Sequence, residues 1–494
     1  MFAKCSSMVM TGLQAIPVEV EVDGTRGQPS LIMIGLPNKT VDEAKERISS
    51  ALQNCGIRIR SIRTVVNLAP AEVRKTGSAL ELAIAVGLLK MYGEIDWDTT
   101  QTMFFGELSL DGSLKSVKGL FPMVLAAQEL GVKRVFFPQG NAKEISMIED
   151  LALYPINHLR ELLFFKNQSP KPLINSLSSK PQEPKIDVLS QMVGQEQAKR
   201  AIQIAAAGRH NILLIGSPGA GKSMLAKAMR SILPPLTKTE SVEVTKLYSL
   251  KGLAQTGLIK ERPFREPHHS TSTVGLLGGG HLLQPGEISL AHQGVLFLDE
   301  FTEYQSSVQE ALRQPLEDGR IVITRAIGSV EYPARFMLIA AANPCPCGYQ
   351  YHEAKVCKCT PREIANYQKR LSGPILDRID LQLKIQSIDP QRFIEPKPKI
   401  NQTALANQAA SVAQIVQLER QQKANAFLSY KELQKFAQIK LVSWQFLSQA
   451  AKKFLLSSRG YLKVLRVART IADLEQSEEV DKKHVIEALA YRIN

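Results

Sequence analysis

"NILLIGSPGAGKSMLAKAM", residues 211–229, decides the fold. A short apolar run, a turn of small residues and a helix-forming stretch follow one another in the order strand, phosphate loop, helix. Gly216, Gly221, Lys222 and Ser223 fill the G-x-x-x-x-G-K-S spacing, so the nucleotide-binding segment is Gly216, Ser217, Pro218, Gly219, Ala220, Gly221, Lys222, Ser223 and Met224. Glycines let backbone N–H groups close round phosphate oxygens, and the helix N-terminus adds a favourable dipole. Lys222 is expected to neutralise the β- and γ-phosphates of ATP, and Ser223 to ligate Mg²⁺.

Further along, "GVLFLDE" (294–300) is a second apolar run that ends in Asp299 and Glu300. An acid at the tip of a buried strand beside a phosphate loop holds Mg²⁺, and its neighbour orients or activates the attacking water. A third run, "RFMLIAAANP" (335–344), completes a set that reads as buried parallel strands alternating with helices, an α/β ATPase core. The proline-rich stretch 166–187 marks a linker. Before it, residues 1–165 mix strand patterns ("IPVEVEVD", "RTVVNLAP") with helical ones ("VDEAKERISSALQNCG"). The core spans 188–390, and 391–494 reads as a helical lid.

Composition bounds the rest. With 494 residues, 44% hydrophobic and 22% charged, the chain is neither disordered nor fibrous, and no apolar stretch suits a membrane span. A cytoplasmic protein is expected. The net charge of +14 points to a polyanionic partner. Six cysteines are too few for a disulfide scaffold, yet four fall within "AANPCPCGYQYHEAKVCKCT" (341–360). Cys345-x-Cys347 and Cys357-x-Cys359, nine residues apart, suit one structural Zn²⁺, with plain small residues or a redox pair as the alternatives and His352 as a substitute ligand.

"FREPHHSTSTVGLLGGGHLLQPGEISLAHQG" holds His268, His269, His281 and His292 at spacings that fit no zinc motif. Gly278, Gly279 and Gly280 suggest a flexible loop. "LRQPLEDGRIVITRAIGSVEYPARF" reads as a β-hairpin with Asp318 and Gly319 at its first bend.

Taken together, "GSPGAGKS", "LFLDE", "ANP" and "LSGPILDRIDL" resemble the AAA+ ATPases of the magnesium-chelatase-like branch. The resemblance implies that Asn343 is sensor 1, that Arg378 is an arginine finger reaching the ATP of the next subunit, and that Arg466 is sensor 2 on the lid over the nucleotide. Arg459 and Arg469 are rivals for that last role. It also implies that the histidine-bearing segment is a pore-facing insert. Residues 1–160 resemble the ribosomal-S5-like protease domain of Lon, but Ala79 stands at the nucleophile position and Phe121 at the lysine position. The domain is therefore expected to be non-catalytic, with Ser78 and Lys115 or Lys118 as the alternative dyad.

The whole layout is similar to the bacterial ComM/YifB family. That likeness implies a homohexameric ATP-dependent DNA helicase, assembling on ATP and DNA, that acts on single-stranded and branched DNA and promotes branch migration in natural transformation. The alternative is a protein-remodelling ATPase of magnesium-chelatase or Lon type.

Overall fold

The computed structural model describes residues 1–35, 38–59, 62–72, 75, 78–165, 172, 187–254, 257–280, 283–326, 328–352, 355–386 and 401–492, with backbone alone for 38–42. The linker, Pro172 and Asp187 apart, and His281 lie outside the described residues.

Seven strands form the N-terminal mixed sheet: β1 (Phe2–Thr11), β2 (Gln14–Thr25), β3 (Ser30–Ile34), β4 (Arg63–Ala69), β5 (Thr102–Phe104), β6 (Arg134–Pro138) and β7 (Ala152–Ile156). Their order across the sheet is β3-β4-β2-β1-β5-β6-β7. The β1–β2 pair is a long antiparallel hairpin that turns at Gly12 and Leu13, whereas β1, β5, β6 and β7 run parallel. Alternation in "VEVEV" turns Val18, Val20 and Val22 inward against the apolar helix Glu81–Tyr92, and all three are buried.

The second sheet is wholly parallel: β8 (Ile212–Gly216), β9 (Phe264–Arg265), β10 (Val295–Leu298), β11 (Met337–Ala342) and β12 (Leu381–Ile385), in the order β9-β10-β11-β8-β12. Its central strands are apolar at every position because both faces are covered. Ile212, Leu214, Phe297, Ile339 and Ala341 pack on one face against the helices Glu196–Gly208, Lys222–Ile232, Gln402–Gln421 and Ser458–Leu474. Leu213, Leu296, Leu298, Leu338 and Ala340 face the other way, toward Leu276, Ile288, Leu312 and Tyr332. Residues beyond 401 are mainly helical. No described helix is long and apolar enough to cross a membrane.

Two details correct the sequence reading. Asp318 and Gly319 do not turn the hairpin; they end the short helix Arg313–Asp318, with Gly319 at φ 65°, and the hairpin strands are Arg320–Arg325 and Gly328–Pro333. Gly278 and Gly279 are not slack either, since they pair with Pro285 and Gln284. At Gly278 (φ 100°) a Cβ would lie 2.4 Å from the Gln284 carbonyl oxygen, so glycine is needed for close approach rather than for flexibility.

The N-terminal domain docks on the ATPase core. Ser249, near the end of the helix Lys238–Leu250, accepts from Gly119 N through its carbonyl (2.9 Å) and from Phe121 N through its hydroxyl (3.3 Å). That hydroxyl donates to the buried Glu144, which also accepts from Asn141 Nδ2 at 2.8 Å. At a second point the Gly12 turn meets the ATPase hairpin so closely that a Cβ on Gly12 would sit 2.4 Å from Val330 Cγ1.

At the amino end of β12, Asp380 is buried against His210 (3.2 Å) and Lys463 (3.5 Å) and accepts from Asn211 N (3.3 Å). Burial by itself would raise this carboxyl, but Lys463 and His210 hold it far below the usual carboxylate range, while burial pushes Lys463 down to about 8. Replacing Asp380 with Asn leaves Lys463 as a buried charge without its counter-charge. Asp380→Asn should therefore lower unfolding free energy by about 3 kcal/mol, read as a fall in denaturant midpoint at neutral pH. Because the carboxyl is depressed in the fold, the deficit should persist above the ordinary aspartate range and fade only as pH falls through the folded value.

Candidate functional site

Parallel polarity brings the loops after β8, β10 and β11 to one edge of the sheet. Ile215 lies opposite Ala342, and Leu298 opposite Ala340, so Ser217–Gly221, Asp299–Glu300 and Asn343 leave that edge side by side. Gly219 (φ 78°) and Gly221 (φ 86°) take left-handed backbone that turns the loop into the helix Lys222–Ile232. A Cβ on Gly216 would lie 2.6 Å from the Ile385 carbonyl oxygen, so β12 presses directly on the start of the loop.

The polar side chains here already contact one another. Lys222 Nζ donates to Gly216 O (2.5 Å), Ser217 O (3.2 Å) and Asn343 Oδ1 (3.0 Å). Burial lowers its pKa, opposed by Asp299 and Glu300. Ser223 Oγ donates to Asp299 Oδ2 at 2.9 Å, and Asp299 Oδ1 accepts from Glu300 N at 2.9 Å. Such an arrangement offers a cation and an amide to phosphate oxygens and a hydroxyl with a carboxylate to a divalent ion.

The arginines lie elsewhere. Arg378 precedes β12 and Asn211 precedes β8; Asn211 Nδ2 donates to Arg378 O (3.1 Å). Both are at the amino edge, a five-residue strand away from the phosphate loop, roughly 15 Å at the rise of an extended chain. Arg378, Arg459, Lys463 and Arg466 line a cavity of about 1010 Å³ together with Asn211 and Asp380. Arg466 donates through Nε to Leu428 O at 2.7 Å. It does not lie over the nucleotide loop of its own chain, as a lid residue was expected to; the helix Ser458–Leu474 packs on Glu196–Gly208 and turns this residue to the amino edge. Arg469 is fully committed inside the C-terminal region, to Asp473 (3.0 Å) and to the carbonyls of Ala437 (3.0 Å) and Glu478 (2.7 Å).

All four cysteine sulfurs of the 345–359 loop lie within 4.8 Å of one another, with Cys345 to Cys347, Cys347 to Cys357 and Cys345 to Cys357 at 3.4, 3.5 and 3.7 Å. A tetrahedron with arms of about 2.3 Å has edges of about 3.8 Å, so the cluster is consistent with a structural zinc. His352 stands outside this set, and its Nδ1 accepts from Lys355 N at 3.1 Å. Amides of Tyr349 and Lys358 donate to Cys347 and draw its thiol down to about 6. The same loop braces the nucleotide site: a Cβ on Gly348 would fall 2.7 Å from Pro218 Cδ.

Some participants went unread in the sequence. His269 Nδ1 lies 3.4 Å from Glu300 Oε2, and Gln195 Nε2 donates to Ala220 O in the phosphate loop at 2.6 Å. The paired histidines were a visible signal for the first; nothing local marked Gln195. His292 is buried, receiving Arg335 N on Nδ1 (3.0 Å) and facing Glu243 through Nε2 (3.0 Å), which makes it a framework residue. In the N-terminal domain Phe121 is buried, and Ser78 Oγ donates to the Glu107 carboxylate rather than meeting a lysine; Lys115 and Lys118 are exposed.

A parallel sheet in the order β9-β10-β11-β8-β12, with a phosphate loop, an acid pair and an asparagine on one edge, defines a P-loop ATPase core of AAA+ type, which the family models assign to the magnesium-chelatase class. Family models agree: "Magnesium chelatase, subunit ChlI" matches residues 188–393, "Subunit ChlI of Mg-chelatase" matches 20–141, and "Magnesium chelatase, subunit ChlI C-terminal" matches 401–492. The chain is 40% identical to Competence protein ComM of Haemophilus influenzae, covering 98% of this chain and 96% of that one. It is 38% identical to YifB of Salmonella typhimurium and of Escherichia coli, covering 97% of this chain and 95% of each. The chain belongs to the ComM/YifB family of ChlI-like proteins.

Elemental analysis of the full chain should find one zinc per subunit. The Cys345→Ser, Cys357→Ser double variant should lose it and unfold at a lower temperature, by several degrees, because the loop between Asn343 and the helix Pro361–Gln368 loses its cross-link.

Proposed function

We propose that this protein is a ring-forming DNA motor that uses ATP hydrolysis to drive branch migration when incoming single-stranded DNA recombines during natural transformation. One observation carries the ring: the phosphate-binding side chains and the arginines stand on opposite edges of a single sheet. A single subunit holds half of the machinery on each edge, so a closed head-to-tail ring, a homohexamer by resemblance, completes every site. The DNA substrate rests on the net charge of +14 and on membership of a family that includes a competence protein.

In this reading the backbone of 216–224 and Lys222 bind the β- and γ-phosphates, and Asn343 holds the γ-phosphate and the water in line. Glu300 orients that water and accepts its proton, while Asp299 and Ser223 supply the two oxygens that suit Mg²⁺, an ion that neutralises phosphate charge when bound. Arg378 of one subunit stabilises the charge that develops on the ATP of the next, and Arg466 and Arg459 share that duty from the C-terminal region. The pairing of Lys222 with carbonyls and Asn343 is then a resting contact that ATP replaces.

The domain divisions are 1–165, 166–187, 188–390 and 391–494. The first is read as a Lon-like, S5-like domain without proteolysis; the engagement of Ser78 with Glu107 and the burial of Phe121 support that reading. DNA is held by its backbone, without base readout, along the insert near 268–286 and the hairpin 320–333.

The decisive experiment is strand exchange on a labelled three-stranded or four-way junction. Junction movement should require ATP and vanish in Lys222→Ala, with at least a hundredfold loss of turnover. ATP turnover that no DNA stimulates, with no junction movement, would transfer the assignment to a protein-remodelling motor.

A further inference from the structure

Arg378 is folded back on its own chain. Its Nη1 donates to Pro374 O at 2.6 Å, its Nη2 donates to the Glu317 carboxylate, and the side chain is only 9% exposed. Its Nε is buried and has no hydrogen-bond partner among the described residues. Arg459 arrives from the C-terminal region and places Nη2 3.7 Å from the same Glu317 Oε1. One carboxylate oxygen thus gathers two guanidinium groups, those of Arg378 and Arg459, that the proposed function sends to a neighbour's nucleotide.

Glu317 itself is half-exposed. It belongs to the short helix Arg313–Asp318, which ends at Gly319 and leads at once into the hairpin strand Arg320–Arg325. Gly319 O accepts from Ala334 N at 2.8 Å, so the foot of the hairpin is tied to the residue two beyond Glu317. A shift of the hairpin is therefore delivered to this glutamate through very few bonds.

We infer that Glu317 is a parking carboxylate, which occupies in the free subunit the place on Arg378 and Arg459 that phosphate oxygens of the adjacent subunit's ATP take in the assembled ring. The inference rests on reading Arg378 as a finger acting between subunits. Carboxylate and phosphate present guanidinium with the same paired acceptors, and phosphate carries the greater charge. A partly exposed pair is weak enough to be displaced, so Glu317 sets a threshold and does not lock the site. Polymer pressed against the hairpin draws Glu317 away and lowers that threshold, which couples DNA to hydrolysis on the next subunit. Glu317 is a positioning residue: it acts through the arginines and touches no reacting atom.

The test measures ATP turnover by the full-length wild type, Glu317→Gln and Glu317→Asp over a range of subunit concentrations, with and without single-stranded DNA. Light scattering with a non-hydrolysable ATP analogue follows assembly in parallel. For Glu317→Gln, DNA-free turnover should rise about 3- to 10-fold, half-maximal assembly should need correspondingly less protein, and stimulation by DNA should shrink by the same factor. Glu317→Asp keeps the charge on a shorter arm and should fall between the two. Glu317→Gln with an unchanged thermal midpoint and unchanged DNA-free turnover and assembly overturns the inference, and so does a loss of turnover at every concentration. If no DNA stimulates the wild type while Glu317→Gln still raises turnover and assembly, the parking role stands and the DNA-motor reading falls.

Discussion

Five strands running in one direction are the constraint from which the rest follows. Because every strand of the second sheet is parallel, each loop that follows a strand shares one edge and each loop that precedes one shares the other. The phosphate loop, the acid pair and Asn343 fall on the first edge; Asn211, Arg378 and Asp380 fall on the second. Apolar side chains on both faces fix the register of that arrangement, since a strand slipped by one residue would turn Ile212 and Leu214 out of one core and into the other. The separation of the phosphate-binding side chains from these arginines is thus a property of strand direction, imposed before any particular arginine is considered.

What could be read from the sequence was what is local. The phosphate loop occupies a handful of consecutive residues and carries its strand and helix with it, so Gly216 to Met224 were placed before any geometry was known. The acid pair and the cysteine pairs were legible for the same reason: each is a short pattern at the end of a run. Contacts between distant segments were not. Nothing near Glu317 announces that Arg378 and Arg459 converge on it, and nothing near Gln195 announces Ala220. Arg466 was expected over its own nucleotide because the family resemblance places sensor 2 on the lid; which way the helix Ser458–Leu474 turns depends on packing against Glu196–Gly208, and that is written in two separate stretches of chain. The three glycines at 278–280 suggested freedom, whereas Gly278 and Gly279 answer to a close backbone crossing.

The cysteine loop shows how a small insert can serve a site it does not enter. Cys345 follows Asn343 by two residues, and Gly348 rests on Pro218 of the phosphate loop. A metal held by the four clustered sulfurs would remove slack at the point where Asn343 and the phosphate loop lie together. The insert's contribution to chemistry is rigidity, supplied from the flank.

The contact between Gly12 and Val330 has a mechanical meaning. Where a single added carbon would overlap a methyl group at 2.4 Å, little free space remains between the N-terminal turn and the ATPase hairpin. Displacing the hairpin toward the turn meets steep repulsion; displacing it away gives up only shallow dispersion contacts. The hairpin's freedom is accordingly lopsided, with the N-terminal domain standing as a stop on one side of it.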